Sequence, residues 1–336
     1  MDVRVTSGID VRLLVDGRVE RRPLEDLDML IALQEGLVWV DIARADEEGT
    51  RVLTEVFGFH PMAVRDCVER NHLPKFHAYS DHVLVILHSV ERGAAGRVHT
   101  IELDQFVGPG FLVTVHGPDE PGVAPEATFT HTDAILRRLE SGRLSPASSF
   151  ELSHALASAI ALEAERFVGV LAMETGKLER TVMEEAVSAN PEAFLEELFT
   201  ARHELLTVRT SAALSREIYS RMATLARFIP GDSQDKVLDI VDQFERVGGV
   251  VDAQKEYLQG VIEFYRVRTE TKMTIAAERL AVIAAVTLPV TALSSIYGMN
   301  VIVNNSTHFV QLAIVIAIML VISLWLLRWA KRQGWW

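Results

Sequence analysis

The distribution of apolar residues over the first 232 positions predicts a folded domain of strands and helices. Short runs rich in Val, Ile, Leu and Phe, bounded by Gly, Pro or charged residues, are typical of β-strands. Helical spacing of apolar residues occurs between and after these runs, at 48–57, 61–69 and 132–141, and dominates from residue 149 onward. We therefore expect an α/β domain with a helical second half over residues 1–232, with strands at 11–15, 19–22, 37–42, 82–90, 98–103 and 111–116.

Two local signals divide this domain further. Asp16-Gly17, between the first two predicted strands, predicts a tight hairpin turn. Residues 117–126 are rich in Pro and Gly, which indicates a loop and the clearest internal break.

A single long helix is predicted after this domain. Pro289 is the only proline between residues 233 and 300, and apolar residues recur at helical spacing, as at Val237, Ile240 and Phe244. At 1.5 Å per residue an unbroken helix would be about 100 Å long. A helix of that length cannot bury its apolar face against one domain, so we expect other copies of the chain to cover it. Residues 233–279 form the predicted stalk.

Charged residues are absent from position 280 to position 327. Residues 280–300 and 309–330 are each long enough to cross a hydrocarbon core of ~30 Å as a helix. The sequence therefore predicts two transmembrane helices, joined by the loop 301–308 and followed by a basic tail at 331–336. A buried hairpin in a soluble core is the alternative, and the absence of charge from 280 to 327 argues against it.

The distribution of basic residues predicts the orientation of this hairpin. The loop 301–308 contains no Lys or Arg. Basic residues instead flank the other ends of the two segments: Arg268, Lys272, Arg279, Arg328, Lys331 and Arg332. By the positive-inside rule we expect a multi-pass protein of the cell (inner) membrane with both termini in the cytoplasm.

Charge and composition exclude several classes of function. The 336 residues include 33 Lys and Arg against 46 Asp and Glu, a net charge of −13, which argues against nucleic acid as a partner. No nucleophile elbow, phosphate-binding loop or dinucleotide fingerprint occurs, so we expect no enzyme. The single cysteine, Cys67, cannot form an internal disulfide or a cysteine-rich metal site.

A short motif stands at the end of the first membrane segment, where Tyr297 is followed by Gly298-Met299-Asn300. With this position, the short loop and the second segment, the chain resembles the CorA family of divalent-cation channels, whose signature is Gly-Met-Asn. Further matches to the family lie upstream, in Gly58-Phe59-His60-Pro61 with Asp66, Leu73-Pro74-Lys75-Phe76, the strand 111–115 and Leu288-Pro289-Val290-Thr291.

The resemblance implies a homopentameric funnel in the lipid bilayer. The first membrane helices would line a pore, the second would face lipid, and the stalk helices would lead inward. It implies a selectivity filter at Gly298, Met299 and Asn300. The pore-lining stripe would comprise Glu263 at the inner exit, then Ala277, Leu280, Ala284, Leu288, Thr291 and Ser295.

These residue types suit a hydrated cation. Mg²⁺ gives up its water reluctantly, and neutral oxygen acceptors can bind that water without removing it. Carboxylates in a narrow pore would slow release, because conduction needs weak sites. Two alternatives remain open: Thr291 and Ser295 can bond to their own helix, and Asn300 can cap it.

The resemblance also implies regulation by intracellular Mg²⁺ bound between neighbouring subunits. Asp66 and Asp239 fall on the positions that supply the two carboxylates, and loss of the metal would loosen the pentamer because the carboxylates repel. Solvated surface charge is the alternative for both residues. Arg65 stands where relatives often carry Glu, which removes one ligand and adds repulsion toward a second metal.

Transported and regulatory ions are expected to be divalent: Mg²⁺ first, with Co²⁺, Ni²⁺ or Zn²⁺ as further candidates. The loop lacks the acidic residues that many relatives carry after Gly-Met-Asn, and it contains His308. Two alternatives to Mg²⁺ uptake therefore stay open. One is a zinc or other transition-metal transporter of the ZntB branch, and the other is a membrane-anchored metal sensor that does not conduct.

Overall fold

The computed structural model describes residues 8–33, 35–93, 96–184, 191–225, 231–298 and 309–332. The chain divides into two compact units, Met1–Gln259 and Gly260–Trp336. The predicted order of an α/β domain, a long helix and two C-terminal apolar helices is confirmed.

A seven-stranded sheet forms the centre of the first unit. Its order is β2-β1-β3-β7-β6-β5-β4; β3 and β7 run parallel, and the other neighbours are antiparallel. All six residues of β3 are buried, as expected for a strand covered on both faces. The strands are β1 (Ile9–Val15), β2 (Arg18–Arg22), β3 (Leu37–Ile42), β4 (Lys75–Ala78), β5 (Val83–Arg92), β6 (Val98–Gly108) and β7 (Phe111–His116).

Three short helices bury their apolar sides in one core cluster with the sheet. They are α1 (Leu27–Leu33), α2 (Glu47–Arg51), which continues into a π turn at Val52–Val56, and α3 (Pro61–Val68). Leu27, Leu53 and Val64 lie in this cluster with Val40, Ile86 and Phe106 of the strands. Pro61 at the first position of α3 and His60, whose Nδ1 accepts from the Met62 N–H at 3.2 Å, fix where α3 begins.

Longer helices contact the sheet strands further along the chain. These are α4 (Thr130–Glu140), which follows a 3₁₀ turn at Pro125–Phe129, α5 (Ser149–Met183) and α6 (Pro191–Leu225). The start of α5 is fixed by a reciprocal cap: Ser148 Oγ accepts from the Glu151 N–H at 3.2 Å, and Glu151 Oε2 accepts from the Ala147 N–H at 2.8 Å. The core therefore extends through the sheet into the helical half.

Most of the secondary structure predicted for the domain is present in the structure. All six predicted strands are present, and the hairpin turn is confirmed, with Asp16 and Gly17 at φ values of 49° and 73°. β4 was not predicted, because this edge strand is short and only Phe76 is buried in it. α1 was also not predicted, because it has just seven residues. The loop predicted at 117–126 follows β7 and leads to the 3₁₀ turn at Pro125–Phe129 within the first unit.

One helix, α7, runs from Gly231 to Gly298, and α8 runs from Phe309 to Arg332. Gly248, Gly249 and Gly260 lie inside α7 without interrupting it. Both helices contain a stretch that is long and apolar enough to cross a membrane, with mean hydropathy of 1.7 and 2.3, and only 6% of each stretch is buried. The second unit comprises α8 and the part of α7 that begins at Gly260.

Candidate ion pathway and regulatory carboxylates

The predicted pore-lining positions of α7 are all exposed. Leu280 and Leu288 are 66% and 67% exposed. At 100° per residue, the seven positions from Ala277 to Gly298 fall within an arc of about 80°, so they form one stripe. This uncharged stripe comprises Ala277, Leu280, Ala284, Leu288, Thr291, Ser295 and Gly298, and every member is exposed.

The opposite side of the same segment is more covered. Val282 is only 3% exposed, in contrast to its neighbours on the uncharged stripe. The half-buried residues of the segment include Ala285, Val286, Pro289 and Leu293, which lie on the side of Val282. The helix therefore has one face that is partly covered within the chain and another that is left for other molecules.

Two polar members of the proposed pathway have defined surroundings. The Thr291 hydroxyl donates to the Thr287 carbonyl at 2.8 Å, so it bonds to its own helix and retains lone pairs as acceptors. Glu263 is exposed on α7, one turn before the ion pair that Arg266 forms with Glu270 at 3.0 Å.

The predicted filter falls at the limit of the described helix. Gly298 is the last residue of α7. Met299, Asn300 and the loop 301–308 lie outside the described residues.

Asp66, the first predicted regulatory carboxylate, is engaged by its own chain. It lies on α3, and its side chain is 17% exposed. Lys75 Nζ on β4 lies 3.0 Å from Asp66 Oδ1, and His77 Nε2 lies 3.5 Å from Oδ2. Arg65 points its guanidinium toward Glu69, at 3.8 Å. The carboxylate of Asp66 thus already has a cationic partner.

Asp239, the second predicted carboxylate, is engaged in a similar way. Its Oδ2 lies 2.7 Å from His154 Nε2 and accepts from Gln243 Nε2 at 2.7 Å. The hydrogen bond from His154 is the main cause that lowers the pKa of Asp239. His154 has no local sequence signal, because it is 85 residues away from Asp239 along the chain.

Two buried acids on the face of the sheet that carries α3 were also not predicted. Glu102 accepts from the Asn71 backbone N–H and from Asn71 Nδ2, both at 2.7 Å, and Asp104 is fully buried. Burial, followed by the charge of Glu102, raises the pKa of Asp104 well above its ordinary value. Residues 102 and 104 share a face of β6 because strand side chains alternate.

Within the described part of the chain, no group of three His, Cys, Asp or Glu side chains is placed to hold a metal ion. Asp66 and Asp239 each offer carboxylate oxygens, which are suitable ligands for Mg²⁺. A complete coordination shell at either residue would therefore need water or ligands from a second chain.

Comparison with known proteins identifies the family. The family model described as "CorA-like Mg2+ transporter protein" matches residues 34–332. The chain belongs to this family. CorA proteins are transporters rather than enzymes, so the chain is a divalent metal-ion transporter of the membrane.

Individual relatives are distant in sequence. The putative metal ion transporter YfjQ of Bacillus subtilis (strain 168) is 22% identical over 300 residues, which cover 88% of this chain and 89% of YfjQ. The complete CorA magnesium transporter from Methanocaldococcus jannaschii superposes with a TM-score of 0.81 at 14% identity, over 100% of both chains. The ZntB cytoplasmic domain from Vibrio parahaemolyticus superposes with a TM-score of 0.60 at 9% identity, covering 78% of this chain and 98% of that domain.

Proposed function

We propose that this CorA protein is one subunit of a homopentameric channel that admits Mg²⁺ and closes when intracellular Mg²⁺ binds between subunits. The observation that carries the proposal is the uncharged stripe of α7. Every position of the stripe is exposed in the single chain although much of the stripe is apolar, and five copies facing one another would enclose it.

The chemistry of the stripe suits passage of a cation that keeps its water. Thr291 and Ser295 supply neutral oxygens, and the stripe from Ala277 to Gly298 contains no carboxylate to retain the ion. Leu280 and Leu288 provide an apolar constriction that can close by excluding water. Glu263, on the inner side, would attract cations at the exit.

Gly298, Met299 and Asn300 form the proposed selectivity filter. Amide and carbonyl oxygens can accept hydrogen bonds from the water shell of Mg²⁺ without replacing it. The membrane potential would drive entry, at about 4.6 kcal/mol per divalent ion per 100 mV. This direction requires the loop 301–308 outside and both termini in the cytoplasm of the inner membrane, as the basic flanks indicate.

Regulation is proposed at Asp66 and Asp239, on facing surfaces of neighbouring subunits. The carboxylate oxygens of both residues suit a hard divalent cation. The ion must compete with Lys75 for Asp66 and with the hydrogen bond of His154 for Asp239. Binding would hold neighbouring subunits together and so favour the closed pore.

Flux through the reconstituted protein tests the proposal. We expect liposomes that contain the full chain to take up Mg²⁺, detected by an enclosed dye, and Asn300→Ala to reduce the rate at least tenfold with unchanged oligomer mass. Asn190→Ala is the matched control, since it makes the same change far from the filter in sequence. Normal uptake by Asn300→Ala would remove Asn300 from the filter, and no uptake by the intact oligomer would favour a sensor that does not conduct.

Transport of Zn²⁺ is the second candidate. It is favoured by His308 in the loop and by the absence of acidic residues there. Competition between Zn²⁺ and Mg²⁺ in the same liposomes, with and without a pH gradient, separates the two functions.

A further inference from the structure

The helix α8 has two different faces. At 100° per residue, most of its exposed residues fall within an arc of about 180°, and its half-buried residues lie on the other side. Ala330, near the centre of the covered side, is 3% exposed, whereas Val321 and Trp325 on the opposite side are each 66% exposed. This opposite side is called the exposed face of α8. Its members include Val310, Ile314, Val321, Trp325, Arg328 and Arg332.

The exposed face of α8 changes from apolar to cationic at one level. Residues 309–327 contain no charged side chain. At 1.5 Å per residue this stretch is about 28 Å long, close to the ~30 Å of a hydrocarbon core. Arg328 is the first charged residue beyond it, and Arg332 follows four residues later on the same face. The two guanidinium groups therefore lie where the hydrocarbon core ends and the lipid headgroups begin.

Arg328 and Arg332 are spaced to bind one phosphate group together. Helical residues four apart have Cβ atoms about 5–6 Å from one another. Each guanidinium can donate two parallel hydrogen bonds to phosphate oxygens. The helix α8 contains no Asp or Glu, and among the described residues no carboxylate pairs with either arginine. The donors of both side chains are therefore available to an anion from outside the chain.

Trp325 connects the two arginines to the apolar part of the exposed face. It lies one turn before Arg328, and indole rings favour the level between the hydrocarbon core and the headgroups. Val321 and Leu324, both exposed, provide an apolar surface for an acyl chain one turn further into the core. A second copy of α8 would fit this face poorly, because it would bring the same cations and no acid. The face instead matches both parts of a phospholipid, an apolar chain and an anionic headgroup.

From this arrangement we propose that Arg328 and Arg332, together with Trp325, bind the phosphate headgroup of an anionic phospholipid such as phosphatidylglycerol. The headgroup of phosphatidylcholine carries its own cation, which the two guanidinium groups would repel, so the site should distinguish the two lipids. The inference goes beyond the proposed channel. It requires only that α8 lies in the bilayer, whichever ion the protein transports.

Fluorescence quenching of the full chain in vesicles tests this inference, because bromine on an acyl chain quenches a nearby indole. Two sets of vesicles contain phosphatidylcholine and phosphatidylglycerol in the same ratio and the same amount of bromine. The bromine is on phosphatidylglycerol in one set and on phosphatidylcholine in the other. We expect brominated phosphatidylglycerol to quench the wild type at least twofold more. In the double variant Arg328→Gln, Arg332→Gln this ratio should fall to about one. Arg332→Gln alone guards against failure of the double variant to assemble, and it should lower the ratio part of the way.

The matched control, Arg202→Gln with Arg221→Gln, removes two exposed arginines of α6 in the first unit and should quench like the wild type. Equal quenching by the two lipids in the wild type, or an unchanged ratio in the double variant of α8, would overturn the inference.

Inorganic phosphate separates a lipid site from a site for a soluble anion. Added in excess, and compared with chloride at equal ionic strength, it should leave the wild-type ratio unchanged, because it lacks the acyl chain. Loss of the ratio in phosphate alone would overturn the assignment to a lipid. Asn300→Ala, which changes the proposed filter, should keep the wild-type ratio, so the channel and the lipid site fail separately.

Discussion

At the scale of single residues, a buried titratable side chain in the first unit should affect how stability depends on pH. His131 on α4 is 8% exposed, and burial, with a further contribution from His116, lowers its pKa to about 4. A histidine in an unfolded chain titrates near 6.5. Between pH 6.5 and 4 the unfolded chain therefore binds more protons than the folded one, and the folded state loses stability as the pH falls.

This difference predicts the effect of replacing His131. Between pH 7 and pH 5, protonation linked to His131 should lower the free energy of unfolding of the wild type by roughly 2 kcal/mol. In His131→Gln that contribution is absent, so the thermal midpoint in detergent should fall less over this interval than in the wild type. His203→Gln, on an exposed surface, should follow the wild type. Parallel slopes for His131→Gln and the wild type would contradict the assignment.

Lys75 predicts an effect on metal affinity at Asp66. Removing its ammonium leaves the carboxylate less compensated, so Lys75→Met should bind Mg²⁺ more tightly. Because the Lys75 side chain is 41% exposed, we expect an increase of about two- to fivefold. The Mg²⁺ dependence of the thermal midpoint measures it, with Lys255→Met, an exposed lysine of α7, as control. Weaker Mg²⁺ binding in Lys75→Met would mean that Lys75 supports the site.

Among the elements, α7 contains glycines where an unbroken helix would favour alanine. Gly249 is exposed, and a Cβ built on it meets nothing within 4 Å in the chain. The continuity of α7 around Gly249 therefore arises from nearby apolar contacts, such as those of Phe244, Val247 and Val251, which are fully or nearly fully buried.

Substitution of this glycine should stabilise the helix. We expect Gly249→Ala to raise the free energy of unfolding by roughly 0.5–1 kcal/mol, seen as a higher thermal midpoint. Gly58→Ala is the contrasting variant, since φ at Gly58 is +63° and alanine there should lower the midpoint even though the space is open. A lower midpoint for Gly249→Ala would indicate that a neighbouring chain approaches at this position.

For the whole molecule, the partners that the two carboxylates find within the chain predict how the assembly responds to chelation. Lys75 forms an ion pair with Asp66, and His154 hydrogen-bonds to Asp239, without any metal. We therefore expect light scattering to show that EDTA leaves the oligomer of 37.4 kDa chains intact. The double variant Lys75→Met, His154→Ala should lose mass in EDTA and regain it with Mg²⁺. Dissociation of the wild type in EDTA would show that the metal alone balances the carboxylates.

Much of this architecture can be predicted from sequence because it depends on local patterns. The strands, the Asp16-Gly17 turn and the charge-free stretches of α7 and α8 follow from residue spacing and from the cost of placing charge in lipid. The strand β4 is less predictable, because its composition is not typical of a strand and it forms by pairing with β5. The bond between His154 and Asp239 could not be predicted, because it depends on how α5 and α7 pack.

The ammonium beside Asp66 acts as a tethered competitor for any ion that approaches this carboxylate. A group held by a short flexible link is present at an effective concentration in the millimolar range. A free cation would have to reach a comparable concentration before it displaced Lys75 from Asp66. The cation concentration needed to occupy Asp66 would then depend on a residue that never touches the metal. A substitution of that residue would change this concentration although every metal ligand is kept.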